Sequence, residues 1–173
     1  MLSGKMLYAV HGGTYVIQLC GDVRVPMCST LDHFLDDMFQ DPVLSSVLID
    51  LCEADGVDST TLGLLAKISV SSQAKFHQLP TIISTRPDIS RILESMGFES
   101  VFNIVHERPD TSAHGEAVCV NEVPSWESSD KEVSCKVLEA HRTLMQLNEK
   151  NKDTFKNVVE ALEAEQSIVE SHV

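Results

Sequence analysis

The residues best suited to chemistry are Asp58-Ser59-Thr60-Thr61-Leu62-Gly63, where three hydroxyls and a carboxylate crowd the point at which a polar loop gives way to an apolar helix. At a helix start the first backbone N–H groups lack intrahelical partners and the dipole presents its positive end, so added negative charge is favoured by about 0.3 to 1 kcal/mol. A phosphate esterified to one of these hydroxyls is therefore compatible with the fold, and it adds about −1.5 to −2 charge. Next to Asp55 and Asp58, that charge and bulk would repel a partner pressed against the same face. The plainer reading of the hexapeptide is helix capping by Asp58, Ser59 or Thr60, which such residues provide at about 1 kcal/mol.

Other chemistries lack their residues. Asp50, at the end of a central strand, could be the phosphoacceptor of a two-component receiver with Ser84 or Thr85 as its switch residue. Such a site needs an acidic pair after the first strand, where Val10 is followed by His11-Gly12-Gly13, and a lysine after the last, where the chain has His106-Glu107. Asp50 and Asp55 then read as solvated loop carboxylates near a sheet edge. The seven histidines show no metal-ligand spacing, there is no G-x-S-x-G elbow, and no glycine-rich loop suits a nucleotide. The five cysteines are odd in number and scattered, with no C-x-x-C pair, and read as reduced, mostly small core residues. The expectation is a binding protein, not an enzyme, with no cofactor of its own.

A formal charge of −13 opposes nucleic acid and anionic membranes, because phosphate-rich surfaces attract Lys and Arg. No stretch approaches the roughly 20 apolar residues of a membrane span. The start Met1-Leu2-Ser3-Gly4-Lys5 lacks the apolar run of a secretory signal. A protein partner in the cytoplasm is the expected target.

The elements that must hold the hexapeptide follow from periodicity. Met6 to Val10 and Tyr15 to Cys20 flank His11-Gly12-Gly13-Thr14 and read as a β-hairpin. Leu31, Phe34, Leu35, Met38 and Phe39 form one helical stripe that Asp41-Pro42 ends. Val47 to Leu51 is a continuous apolar strand, and Cys52 to Asp58 is a loop too polar to pair. A helix runs from about Ser59 to Phe76 with Leu62, Leu65, Ala66 and Ser69 inward; Thr81 to Thr85 is a strand; Asp88 caps a helix that Gly97 stops; Val101 to Val105 is a last strand. The order β-β-α-β-α-β-α-β implies an α/β fold: a mixed, mostly parallel sheet with an N-terminal antiparallel hairpin and crossover helices. Ligands of such sheets bind where strands hand over to helices.

Residues 1–107 thus read as one domain, 108–129 as an aperiodic linker in which Trp126 could dock, and 130–173 as an amphipathic helical extension. Val133, Val137, Ala140, Leu144 and Leu147 form one stripe; Phe155, Val159, Leu162 and Val169 form another after Asn148 to Asp153. A hairpin folding back at 148–153 and one long helix with a stutter fit equally. The stripes could cover a face of the first domain, pair between two copies as a homodimer, or bind a partner.

Four motifs stand in register over about residues 5 to 106: Leu19-Cys20-Gly21-Asp22-Val23, Val47-Leu48-Ile49-Asp50-Leu51, the hexapeptide, and Arg91-Ile92-Leu93-Glu94-Ser95-Met96-Gly97-Phe98. Together they resemble anti-sigma factor antagonist (STAS) domains, whose usual hexapeptide is Asp-Ser-Ser/Thr-Gly-Leu-Gly. The resemblance implies that Ser59 is the phosphoacceptor, with Thr60 as fallback, and that Asp22, Asp55, Gly56, Asp58, Ser59, Thr60, Thr61, Leu62 and Gly63 form the partner surface. It implies partner switching: the unphosphorylated protein sequesters an anti-sigma factor that is also a serine kinase, phosphorylation releases it, and a metal-dependent serine phosphatase or response-regulator phosphatase resets the state. ATP and metal would belong to those partners. Thr61 stands where the family commonly has glycine, and its branched side chain should narrow a partner's approach. The alternative is a STAS subunit, never phosphorylated, that docks in a transport or lipid-trafficking complex.

Overall fold

The computed structural model describes residues 3–109 and 119–172. β1 (Lys5–His11) and β2 (Thr14–Val23) form the antiparallel hairpin. Gly12 and Gly13 have φ of 56° and 82°, the left-handed backbone that a two-residue hairpin turn requires. β2 does not end at Cys20. It passes through an irregularity between Gly21 and Asp22, and its new register carries it to Val23.

That extension accounts for the main correction to the sequence reading. The segment expected to be an unpaired polar loop contains β4 (Ala54–Val57), which pairs in parallel with the far end of β2, Asp22 opposite Gly56 and Val23 opposite Val57. Ala54 and Val57 turn inward while Asp55 is exposed, so a short strand tolerates the intervening polar residues.

β3 (Ser46–Asp50), β5 (Thr81–Ile83) and β6 (Asn103–Val105) complete the parallel part. The sheet order is β6-β5-β3-β2-β1-β7, with β4 off this path on β2. β6 is shorter than expected and is not last in the chain. β7 (Asn121–Glu122) follows it and adds antiparallel to β1, because the stretch expected to be linker lies along that edge. Beyond it Trp126 docks on the helix that carries Thr30 and His33, its ring stacked on His33 with centroids 3.8 Å apart and its backbone N–H donating to Thr30 Oγ1 at 2.9 Å.

The crossovers are α1 (Cys28–Gln40), α2 (Ser59–Phe76) and α3 (Pro87–Ser95). Asp88 lies in the first turn of α3 and does not cap it, since Pro87, which needs no hydrogen-bond acceptor for its nitrogen, already opens the helix. The extension is a hairpin: α4 (Asp130–Leu147), opened by a capping box between Ser129 and Glu132, and α5 (Glu149–Glu170). Its turn is narrower than 148–153. Asn148 alone ends α4 and caps α5, its Oδ1 accepting from Asn151 N at 2.8 Å, so residues 149–153 are helical.

The hairpin covers a face of the first domain, and Leu144 and Phe155 belong to the same apolar core as the sheet. Its outer stripe ends early, with Val169 54% exposed. The cysteines are free, but Cys119 and Cys135 are exposed and only Cys28 is fully buried, so the core role expected of most of them holds for a minority.

Candidate functional site

Asp58 is the N-cap of α2 and does two jobs there. Its Oδ1 accepts from Thr61 N at 2.8 Å, and its Oδ2 accepts from Val25 N at 2.8 Å, so one carboxylate fixes the helix start to the chain leaving β2. Thr61 adds a third tie, its Oγ1 donating to the Val23 carbonyl at 3.0 Å. Thr61 is 1% exposed. It therefore does not face a partner as the sequence reading supposed; the helical period turns it under α2, where its hydroxyl satisfies a strand end.

Ser59 is the hydroxyl nearest solvent, half-buried at the first helical position, whereas Thr60 is 2% exposed. Leu62 and Gly63, counted with the partner surface, are also buried, Leu62 in the core. On the rim, Asp22 holds Arg24 Nε at 2.7 Å, and a side chain at Gly56 would stand 2.8 Å from Asp22 Oδ1, so the Asp22–Arg24 pair lies over Gly56. Asp55 is paired with Arg86 at 2.9 Å, and Arg86 also donates to the Ala54 carbonyl at 3.0 Å. The hydrogen bond to Asp55 first, and then that to Asp88, hold the guanidinium pKa above its ordinary value. Asp50 is no solvated loop carboxylate. Its side chain is 14% exposed, it accepts from Cys52 N at 2.9 Å, and Arg108 stands 3.3 Å away.

The feature that sequence reasoning missed is α4. His141, 5% exposed, places Nε2 at 2.9 Å from Ser59 Oγ. Its Nδ1 lies 2.7 Å from the Val137 carbonyl, which can only accept, so Nδ1 carries the proton of the neutral ring and Ser59 donates to Nε2. One turn along, a Cβ on Gly63 would lie 2.7 Å from Ala140 Cα and overlap its carbonyl. At the next turn Lys67 reaches Asp32 at 2.8 Å and Glu139 at 3.9 Å, and Lys136 of α4 reaches the other oxygen of Asp32. Burial pushes the Asp32 carboxyl upward, but hydrogen bonds from Lys136 and Lys67 outweigh it and hold the carboxyl below its usual range. Ser59, Gly63 and Lys67, spaced i, i+4 and i+8, are thus a single stripe of α2 lying under α4.

Chemically, the arrangement offers one hydroxyl with an imidazole acceptor at a helix N-terminus. Among the described residues no cluster of three or more His, Cys, Asp and Glu could hold a metal ion, and no helix is long and apolar enough to cross a membrane.

No family model matches the chain, and no curated protein sequence matches it. Solved structures do. A protein of Thermotoga maritima, provisionally assigned as an anti-sigma factor antagonist, superposes with a TM-score of 0.51 at 13% identity over 56% of this chain and 82% of its own. The anti-sigma factor antagonist SpoIIAA in its unphosphorylated form gives 0.51 at 13% identity over 60% of this chain and 89% of its own. The chain has the STAS-domain fold of the anti-sigma factor antagonists.

Proposed function

We propose that this chain is itself an anti-sigma factor antagonist: unphosphorylated, it binds and sequesters an anti-sigma factor that doubles as a serine kinase, and phosphate on Ser59 releases that partner. The carrying observation is that Ser59 is the solvent-side hydroxyl of the first turn of α2, directly after the Asp58 cap, in a fold shared with SpoIIAA. The capped backbone supports a dianion there, and Asp58 beside it means the added charge falls on an already acidic rim. Asp22, Asp55 and Gly56 lie on β2 and β4 at the same sheet end and extend the surface. A serine phosphatase would reset the state; the chain needs neither ATP nor metal of its own and acts in the cytoplasm.

Incubation with the cognate kinase and ATP should place phosphate on Ser59, mapped by mass spectrometry, with the label absent from Ser59→Ala. Undiminished labelling of Ser59→Ala overturns the reading. A second reading has a specific observation behind it: the Ser59 hydroxyl is already engaged by His141. On that reading the chain is a STAS docking subunit of a transport or lipid-trafficking complex, and Ser59→Ala functions as wild type.

A further inference from the structure

α2 is buried around most of its circumference. Leu62, Leu65 and Ala66 meet the sheet side, while Ser59, Gly63 and Lys67 lie beneath α4. The face that would carry the phosphoserine is thus already occupied by a helix of the same chain. It fits a helix presenting a small residue over Gly63 and a hydrogen-bond acceptor over Ser59, and α4 supplies both as Ala140 and His141.

We propose that α4 is a built-in competitor with the partner for this face of the unphosphorylated α2, and that phosphate on Ser59 expels α4 as it releases the partner, because both occupants need the free hydroxyl. This rests on Ser59 being the phosphoacceptor. His141 has no slack to receive a phosphate: its Nδ1 is held by the Val137 carbonyl at 2.7 Å, and its ring meets Phe155 edge-on at 5.5 Å. Esterification removes the hydrogen that Ser59 Oγ now donates to Nε2, so the bond that ties α4 to the start of α2 is lost and the bulk of a phosphate takes its place. Backbone contact between Gly63 and Ala140 leaves no gap into which α4 could shift sideways. Asp58, one residue before Ser59 and already satisfied by two backbone N–H groups, adds like charge. The hydroxyl therefore latches α4 down, and its ester unlatches it.

The test uses the full chain with phosphoserine installed at position 59 during translation, which needs no kinase, alongside wild type and Gly63→Ala. Gly63→Ala drives a methyl into Ala140 and should lift α4 without any phosphate. Amide hydrogen exchange is read by mass spectrometry. The expected result is exchange across 133–147 roughly tenfold faster in both altered chains, as for a lost local contact, with β2, β3 and β5 unchanged. Three results overturn the proposal. If Gly63→Ala frees α4 and phosphoserine leaves it protected or protects it further, Ser59 does not control the helix. If neither altered chain frees α4, it is a fixed part of the core. If the sheet strands exchange faster along with α4, the effect is general unfolding. Absence of kinase labelling in the earlier experiment would remove the phosphoacceptor reading without altering any of these outcomes.

Discussion

The Ser59 hydroxyl donates to His141 Nε2 over 2.9 Å, joining the first turn of α2 to a side chain 82 residues further along. Both ends of this bond are held independently, Ser59 by the Asp58 cap and His141 by the Val137 carbonyl. Geometry at the candidate site therefore depends on elements from both ends of the chain, and the energetics of each can be measured separately.

Asp58→Ala removes the acceptor of two backbone N–H groups, Thr61 and Val25, and leaves them to find water at a half-buried helix start. Loss of a cap costs about 1 kcal/mol, and the second orphaned donor raises the expectation to about 2 kcal/mol. Urea unfolding followed by circular dichroism should show the lowered midpoint with an unchanged slope.

Asp32→Asn should weaken the junction of α1, α2 and α4 by about 1 to 3 kcal/mol, since Lys67 and Lys136 keep some hydration and lose only their shared carboxylate. The carboxyl titrates below its ordinary 3.8 in the folded chain, so its contribution is present in full above that pH and fades as pH falls through the depressed value. The difference in urea midpoint between wild type and variant should accordingly be large at neutral pH and shrink on acidification.

Tyr15 donates its phenolic hydrogen to Asp41, and burial first, then that hydrogen bond, pushes its pKa up to about 12. The neutral phenol is what the fold holds. Its stabilising effect is complete below the ordinary value of 10.0 and is lost as pH climbs through about 12. Ultraviolet difference titration of the folded chain should show this late ionisation, and Asp41→Asn should bring it back toward 10.0.

Asn151 is 1% exposed and its amide donates to the carbonyls of Met96 and Leu144, each at 2.9 Å. Asn151→Ala leaves the Leu144 carbonyl without this donor and the Met96 carbonyl with Asn148 alone, for a loss of about 1 to 3 kcal/mol. Thermal unfolding should report it. Asn151→Leu, similar in bulk but without donors, should not restore the stability.

The order of strands and helices through α3 was legible in the sequence because glycines, prolines and apolar periods mark its boundaries: Gly12-Gly13 turns the hairpin, Asp41-Pro42 ends α1 and Gly97 stops α3. β4 was not, because a strand of four residues held by the end of β2, from Gly21 to Val23, has no alternation long enough to read. The burial of α2 carried a signal that periodicity alone undervalued. Leu62, Leu64, Leu65, Ala66 and Ile68 are too many for one stripe, which implies a cover on the second face. Which segment provides that cover is a long-range fact, and a lone histidine in an amphipathic helix gives no local indication that it will meet a serine. Likewise, the choice between hairpin and long helix turned on Asn148, whose Oδ1 caps α5 while its Nδ2 donates to the Met96 carbonyl, a partner 52 residues away.

A single extended residue closes α4 and opens α5, and the two helices are tied along their length by Arg142 to Glu163 and by His141 against Phe155, so they would swing together as a lever does. Its fulcrum is the carbonyl of Met96, gripped by both Asn148 and Asn151. At about 1.5 Å per residue, the α5 arm reaches some 30 Å beyond that point. A displacement of a few ångströms beside Ser59 would therefore be magnified into a broad sweep at the far tip, visible to a pair of dyes.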